Sequence, residues 1–126
     1  MKLRIKGNSI RLRLLRSEVD LFATERVISE DVGFGGSVLR YSLRISEEAD
    51  SIKAEFIDNE ISVLVPTATA LDWAIGASTG IGTVDQLGES EILSILIEKD
   101  FVCVDRPDDP DRDDAFPNPS KECGPD

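Results

Sequence analysis

The sequence predicts a single α+β domain, dominated by antiparallel sheet in a meander or barrel-like arrangement, with two short helices and an acidic, proline-rich C-terminal tail. Three observations indicate this class. Strand-like segments recur along the first 104 residues with turn sequences between them, two short segments begin with helix-capping residues, and five of the six prolines lie in the last 22 residues. We therefore place a domain at 1–104 and a tail at 105–126, and we expect the tail to pack on the domain.

The chain opens with MKLRIKGNSIRLRL, in which basic and apolar residues alternate. A period of two predicts strands at 2–6 and 9–14, with aliphatic side chains on one sheet face and cations on the other. Gly7 and Asn8 tolerate the positive φ that a turn or bulge between these strands requires. The cations that this pattern aligns are Lys2, Arg4, Lys6, Arg11 and Arg13.

A short helix is predicted at about 18–25, because Ser17 followed by Asp20 has the spacing of a capping box. Four strand-like segments come next, and turn sequences such as GFGGS and SEEAD separate them. Successive strands joined by short turns are expected to form an antiparallel meander. These strands are predicted at 26–32, 37–46, 51–57 and 60–65.

The rest of the domain is predicted to hold one helix, one loop and two strands. Thr67 or Thr69 can cap a second short helix that ends before Gly76. The four glycines of 76–90 indicate a long loop, and the β-branched residues after it favour two strands joined by a tight turn near Lys99. Those strands are predicted at 91–97 and 100–104. No internal repeat is evident in the sequence.

Charge is unevenly distributed in this chain, whose formal net charge is −11. Residues 1–16 hold six of the fourteen Lys and Arg and no acidic residue, whereas the tail holds eight Asp and Glu. An overall negative charge repels nucleic acid and anionic membranes, so a polyanion would have to contact the N-terminal segment alone. We therefore expect the partner to be a protein or a small ligand rather than nucleic acid or a membrane.

A cytoplasmic location is expected for two reasons. No stretch approaches the roughly 20 apolar residues of a membrane-spanning helix, and the N-terminus has charges where a secretory signal has an apolar core. In that reducing environment Cys103 and Cys123 are expected to be free thiols.

Three interpretations of the basic N-terminal residues remain open. They can form a nucleic-acid surface, although the segment has no aromatic side chains for base stacking. They can bind the chain's own acidic tail, in which like charges otherwise repel one another. They can also form a solvated strand face whose Lys and Arg prevent edge pairing. The tail acids concerned are Asp108, Asp109, Asp111, Asp113 and Asp114.

The tail also contains weak candidates for metal ligands. Asp109, Asp111 and Asp113 match the first three ligand positions of a calcium loop, but the glycine and the glutamate of the two other defining positions are missing. Cys103 and Cys123 could join tail carboxylates around zinc, although the chain has no CxxC pair and no histidine. We therefore expect no bound metal and no cofactor.

No catalytic motif is evident in the sequence. Without histidine, a Ser-His-Asp or Cys-His arrangement cannot form, and the chain has neither a phosphate-binding GxxxxGK[ST] motif nor a complete dinucleotide fingerprint. The remaining chemistry favours a small non-enzymatic binding protein. A DNA-binding regulator and a metal-binding protein are the two alternatives.

Two resemblances involve residues already described. MKLRIKGNSIRLRL, with VPTATALDWA, IEKDFVC and FPNP, resembles a small family of uncharacterised bacterial proteins, which implies a stand-alone cytosolic domain over nearly the whole chain. Within 2–18, Gly7-Asn8-Ser9 followed by Leu12-Arg13-Leu14 is similar to the GNS..VRI opening of the swapped-hairpin barrel family of transition-state regulators and antitoxins. In that family basic residues of the hairpin contact DNA within an intertwined dimer, so this resemblance would assign DNA contact to Arg11 and Arg13.

Overall fold

The computed structural model describes residues 1–87, 89–100, 114 and 116. Over these residues the chain forms eight strands and two short helices, which confirms the predicted α+β class. Neither helix, at ten and nine residues, is long enough to cross a bilayer. The elements are, in chain order, β1 (Lys2–Ile5), β2 (Ser9–Leu14), α1 (Arg16–Glu25), β3 (Val27–Gly33), β4 (Val38–Ser46), β5 (Lys53–Ile57), β6 (Glu60–Pro66), α2 (Thr67–Ile75), β7 (Gly80–Gln86) and β8 (Ile92–Lys99).

The strands form two four-stranded sheets, in the orders β1-β2-β8-β7 and β3-β4-β6-β5. Each hairpin is antiparallel, and the two central strands of each sheet pair in parallel, β2 with β8 and β4 with β6. Over the described residues neither sheet closes into a barrel, and the meander predicted for β3 to β6 is wrong. β6 takes the place beside β4 because it supplies the buried Val63 and Val65, whereas no residue of β5 is fully buried.

The chain repeats one arrangement of hairpin, helix and hairpin, since β1-β2-α1-β3-β4 is followed by β5-β6-α2-β7-β8. Each sheet combines the first hairpin of one half with the second hairpin of the other half. The two halves share a pattern of buried positions but few identical residues, which is why the sequence did not reveal the repeat. The first three elements of the halves begin 51 positions apart, at Lys2, Ser9 and Arg16 and again at Lys53, Glu60 and Thr67.

One hydrophobic core includes residues from both sheets and both helices. At the contact between the helices, the rings of Phe22 and Trp73 meet edge to face, with centroids 6.2 Å apart and planes at 67°. These two positions are also 51 apart, so the helices pack on each other at equivalent points of the two halves. The sheets supply the fully buried aliphatic side chains Leu12, Leu14, Leu43, Val63, Val65, Ile95 and Ile97.

The helix α1 begins two residues before the predicted start and is capped differently from the prediction. Leu15 is the N-cap residue and has no polar side chain that could cap the helix. Its own N–H donates to Oε1 of Glu18 at 2.9 Å. Ser17 lies inside the first turn, where its N–H and Oγ donate to the carboxylate of Asp114 at 3.0 and 2.6 Å. A carboxylate at this end also interacts favourably with the helix dipole.

The first residue is held firmly in the fold. Met1 is 7% exposed, and its ammonium contacts the carboxylates of Glu18 and, at 2.6 Å, Glu30. The hydroxyl of Tyr41 donates to the Met1 carbonyl at 3.0 Å. These contacts join α1, β3 and β4 to the start of β1, and thereby fix the position of the first strand.

The C-terminal third of the domain departs most from the prediction. Residues 80–86, expected within a loop, form the edge strand β7, and a single strand β8 runs through to Lys99 with no turn there. Glycine is needed inside β7 because a Cβ on Gly80 or Gly82 would lie 3.1 Å from a carbonyl oxygen of β8. The predicted strand at 100–104 lies, apart from Asp100, outside the described residues.

Candidate anion-binding surface on the first hairpin

The register of the first hairpin places four cations on one face of the first sheet. Lys2 lies opposite Arg13, and Arg4 lies opposite Arg11. The aliphatic residues between them point the other way, since Leu12 and Leu14 are 1% and 0% exposed. The predicted separation of cations from aliphatic residues is therefore confirmed, and we call Lys2, Arg4, Arg11 and Arg13 the basic face.

The fifth candidate, Lys6, lies outside this face. It is exposed beside the turn between β1 and β2, where its N–H donates to the Ser9 carbonyl at 3.2 Å. Gly7, which follows it, has a φ of 56°, as expected for this turn. The four residues of the basic face line an open pocket of about 190 Å³.

Two carboxylates of the described residues partly neutralise the basic face. Oε1 of Glu98 lies 3.1 Å from Nε of Arg11 and 3.7 Å from Nε of Arg13. Oδ2 of Asp100 lies 3.1 Å from Nζ of Lys2. Such partly exposed ion pairs contribute about 0–1 kcal/mol each, and like charges directly opposite on a sheet are unfavourable. Counting the described residues alone, the basic face therefore keeps an excess of positive charge.

The corresponding hairpin of the second half keeps only one of these four cations, since Lys2 corresponds to Lys53. At an offset of 51 positions, Arg4, Arg11 and Arg13 correspond to Glu55, Ser62 and Leu64. The basic face is thus confined to one hairpin of the repeat.

The second sheet has cations of its own, and carboxylates hold two of them, Arg40 and Arg44. Arg40 makes a two-point contact with Asp31 at 2.7 and 3.2 Å, and the hydrogen bond from Arg40 holds the pKa of Asp31 below its ordinary value. Glu60 accepts from Ser42 and, at 3.1 Å, from Arg44, and these hydrogen bonds lower the Glu60 pKa. The first sheet is therefore the better place for an anionic partner.

Two residues of the tail are described, and both contact the domain near the end of β2. Asp114 accepts from Ser17, and the hydrogen bonds from Ser17 hold the pKa of Asp114 below its ordinary value. The N–H of Phe116 donates to the Asp100 carbonyl at 2.7 Å. The guanidinium carbon of Arg16 lies 5.6 Å from the centre of the Phe116 ring. The other tail acids, Asp108, Asp109, Asp111 and Asp113, lie outside the described residues.

Lys99 is a chemically unusual residue that the sequence analysis missed. It is 6% exposed, and its Nζ donates to the Gly76 carbonyl at 2.8 Å. The ammonium lies 5.8 and 5.3 Å from the ring centres of Trp73 and Phe116. Burial lowers the pKa of Lys99. The alternation in β8 was the available signal, because it places Lys99 on the same face as Ile95 and Ile97.

The predicted metal candidates all lie outside the described part of the chain. These candidates are Asp109, Asp111, Asp113, Cys103 and Cys123. Within the described residues, no three His, Cys, Asp or Glu side chains come together as a metal site would require.

Comparison with other proteins places the chain in a family. No curated protein and no solved structure gives a significant match. Residues 1–120, which include the basic face, both helices and all eight strands, match a family of unknown function, DUF7009. Because this match extends over nearly the whole chain, the protein belongs to that family, in agreement with the first of the two resemblances.

Proposed function

We propose that this protein is a non-enzymatic binding protein whose basic face binds anionic groups of a partner. The observation that carries the proposal is the register that aligns Lys2 with Arg13 and Arg4 with Arg11 around one pocket. Like charges placed directly opposite lower the stability of a hairpin. An anion bound over this face, between the opposing cations, would relieve that repulsion and accept charge-assisted hydrogen bonds from the guanidinium groups.

A titration with a hexaglutamate peptide tests this proposal. We compare the full chain with the double variant Arg4→Gln/Arg11→Gln, and expect the variant to bind at least about tenfold more weakly, since each charge-assisted hydrogen bond contributes about 1.5–3 kcal/mol before screening by water. The matched control is Arg26→Gln/Arg40→Gln, which removes the same charge from other surfaces. Equal weakening in both double variants would show that only net charge matters, and would overturn the proposal.

Stability gives a second, independent measure of the same face. Arg4 has no ion pair with a described residue and faces Arg11 across the hairpin. Arg4→Gln is therefore expected to raise the free energy of unfolding by about 0.2–1 kcal/mol while weakening anion binding. Urea denaturation measures the first effect. A loss of stability in this variant would mean that Arg4 serves the fold rather than a partner.

We further propose that the chain's own acidic tail competes for the basic face. The support for this proposal is that the described residues on either side of 101–113 contact the protein at or near the first hairpin. Asp100 contacts Lys2, and Asp114 is hydrogen-bonded to Ser17, three residues after the end of β2. Electrostatic attraction acts over about 8–10 Å at physiological salt, so acids tethered here compete at high effective concentration.

Neutralising the tail acids without removing the tail tests this competition. Asp108, Asp109, Asp111 and Asp113 are changed to Asn, while Asp114 and Phe116 are kept. We expect the hexaglutamate peptide to bind several-fold more tightly to this variant, with the difference shrinking in high salt. The matched control neutralises four exposed acids elsewhere, namely Glu48, Asp50, Glu55 and Asp72. An equal gain in this control would assign the effect to net charge alone.

A DNA-binding regulator is a second candidate, favoured by the way the hairpins interleave. Each sheet combines hairpins from both halves, which is the kind of exchange that the swapped-hairpin resemblance implies for a dimer, here within one chain. The corresponding hairpin of the second half lacks the three arginines, so we rank this candidate lower. Salt-sensitive retention on a 20-base-pair duplex that Arg11→Gln and Arg13→Gln abolish would establish it. If the protein binds the duplex no more strongly than it binds the hexaglutamate peptide, the DNA-binding regulator is ruled out.

A further inference from the structure

The side of the first sheet that carries the basic face also carries an apolar surface, which lies over β8 and β7. Beyond β2, the parallel register places Leu96 beside Arg11 and Ser94 beside Ser9. Beyond β8, the antiparallel register places Gly82 beside Leu96, and Val84 beside Ser94. Side chains of paired residues share one face of a sheet, so cations lie over β1 and β2. The groups over β8 and β7 on this face are mostly uncharged, and Glu98, beside Arg13, is a charged exception.

This second region holds an apolar strip, which we define as Gly80, Gly82, Val84, Ile92 and Leu96, with Ser94 between Ile92 and Leu96 on the same face. Val84 and Ile92 are 61% and 47% exposed. Leu96 covers the two glycines, since a Cβ on Gly82 would lie 3.2 Å from Cδ1 of Leu96. The strip thus offers exposed aliphatic groups on β7 and β8, with Leu96 directly beside Arg11.

We propose that the partner is an acidic peptide in extended conformation that crosses the strands, with carboxylates over the basic face and an apolar side chain on the apolar strip. This inference rests on the proposed function and specifies the partner. Adjacent strands lie about 4.8 Å apart, so the middle of the β1–β2 pair is about 10 Å from the middle of the β8–β7 pair. An extended peptide covers that distance in about three residues. Side chains of an extended peptide alternate in direction, so only residues an even number of positions apart face the same surface. The expected ligand therefore has two acidic residues, four and two positions before an aliphatic residue, whose mean separation from it is about 10 Å.

The combination of a basic face with an apolar strip favours a peptide over other anionic partners. A nucleic acid would present phosphates to both regions, and the apolar strip has no group that could bind them. The chain's formal charge of −11 repels a polyanion or an anionic membrane more strongly than it repels a peptide with two carboxylates. Phe116, an aromatic residue of the acidic tail, packs against the hydrophobic core and so is not available to the apolar strip.

Amide chemical shifts of the full-length protein provide the test, because Gly80 and Gly82 can be followed as reporters of the apolar strip. The peptides GEGEGLG and GEGEGSG place both acids and the variable residue on one side of an extended chain and differ only at the aliphatic position. We expect the leucine peptide to bind about tenfold more tightly, as burial of a leucine side chain predicts, and to shift the Gly82 amide. The serine peptide is expected to shift residues of β1 and β2 alone.

Variants of the strip provide the matched comparison. Val84→Ser is expected to remove most of the advantage of the leucine peptide, whereas Val38→Ser, at a residue 49% exposed on the second sheet, should leave it unchanged. Equal affinity for the two peptides, still dependent on Arg4 and Arg11, would overturn this inference and leave the proposed function standing. Binding of neither peptide would remove both. Tighter binding of anionic lipid vesicles or of duplex DNA than of the leucine peptide would also overturn the assignment to a peptide.

Discussion

At the scale of single residues, Lys99 shows how far the interior departs from a simple hydrophobic pattern. The parallel registers make it the counterpart of Ile45, since Leu14 pairs with Lys99 in one sheet and Val65 pairs with Ile45 in the other. A buried ammonium is unfavourable unless it is hydrogen-bonded, and here the Gly76 carbonyl and two aromatic rings compensate it. Burial still lowers its pKa, so the folded state favours the neutral amine more than the unfolded chain does.

This residue makes stability depend on alkaline pH in a defined direction. The unfolded chain binds more protons than the folded protein between the lowered pKa of Lys99 and its ordinary value of 10.5, so the free energy of unfolding rises with pH across that window. We compare the wild type with Lys99→Met by urea denaturation between pH 7 and pH 10. The wild type should become more stable relative to the variant as pH rises. A difference that does not change with pH would show that Lys99 is as protonated in the folded protein as in the unfolded chain, and would contradict a lowered pKa.

Asp114 gives a second prediction at this scale. Its hydrogen bonds from Ser17 satisfy the first turn of α1, and loss of such a cap destabilises by about 0.5–1 kcal/mol at a partly exposed site. Since the Asp114 pKa is lowered in the fold, this contribution is present above the ordinary value of 3.8 and is lost as pH falls through the lowered value. Asp114→Asn should therefore lower the urea midpoint at pH 7 and have a smaller effect below pH 3.8. Asp72→Asn, on the exposed side of α2, is the control.

At the scale of elements, β7 shows why composition misled the prediction. Glycines indicate a loop when they supply positive φ, but Gly80 and Gly82 have no such φ and instead allow β8 to approach closely. The short apolar alternation of Ile81 with Thr83 was too weak a strand signal beside four glycines. The element depends on its partner, because β7 is an edge strand that pairs along its length with β8.

A pair of glycine substitutions tests whether the close approach of β8 is what makes glycine important in β7. Gly82→Ala places a Cβ 3.1 Å from the Ile95 carbonyl oxygen and 3.2 Å from Leu96, and should destabilise the protein by about 1–3 kcal/mol. Gly33→Ala lies in the edge strand β3 with nothing within 4 Å, and should change stability by less than about 0.5 kcal/mol. Thermal denaturation measures both. Similar melting temperatures for the two variants would contradict the proposed close approach at β7.

At the scale of the whole molecule, the interleaved hairpins make the two halves dependent on each other. The sheet that contains β1 and β2 is completed by β7 and β8, more than sixty residues later in the chain. Neither half alone can bury the apolar face of its own hairpins, and Phe22 and Trp73 meet only when both helices are present. Unfolding is therefore expected to be a single cooperative transition.

Cutting the chain between the halves tests this dependence. Fragments 1–50 and 51–126 divide the protein in the connection between β4 and β5. Each fragment alone should lack a cooperative thermal transition, and an equimolar mixture should recover one, together with a 1:1 complex by light scattering. A fragment 1–50 that melts cooperatively as a monomer would contradict the expected dependence.

The sequence by itself determined the two faces of the first hairpin, the approximate bounds of most strands and the presence of two short helices. These features depend on side-chain periodicity and turn residues, which act over a few neighbouring positions. Only the tertiary structure decided that β2 pairs with β8 and β4 with β6, that Lys99 is buried, and that an apolar strip continues the basic face. Those features depend on contacts between residues far apart in the chain. Which strands pair is decided by the burial of side chains such as Val63 and Ile97 in the core, and this outweighs the tendency of neighbouring strands in the sequence to pair.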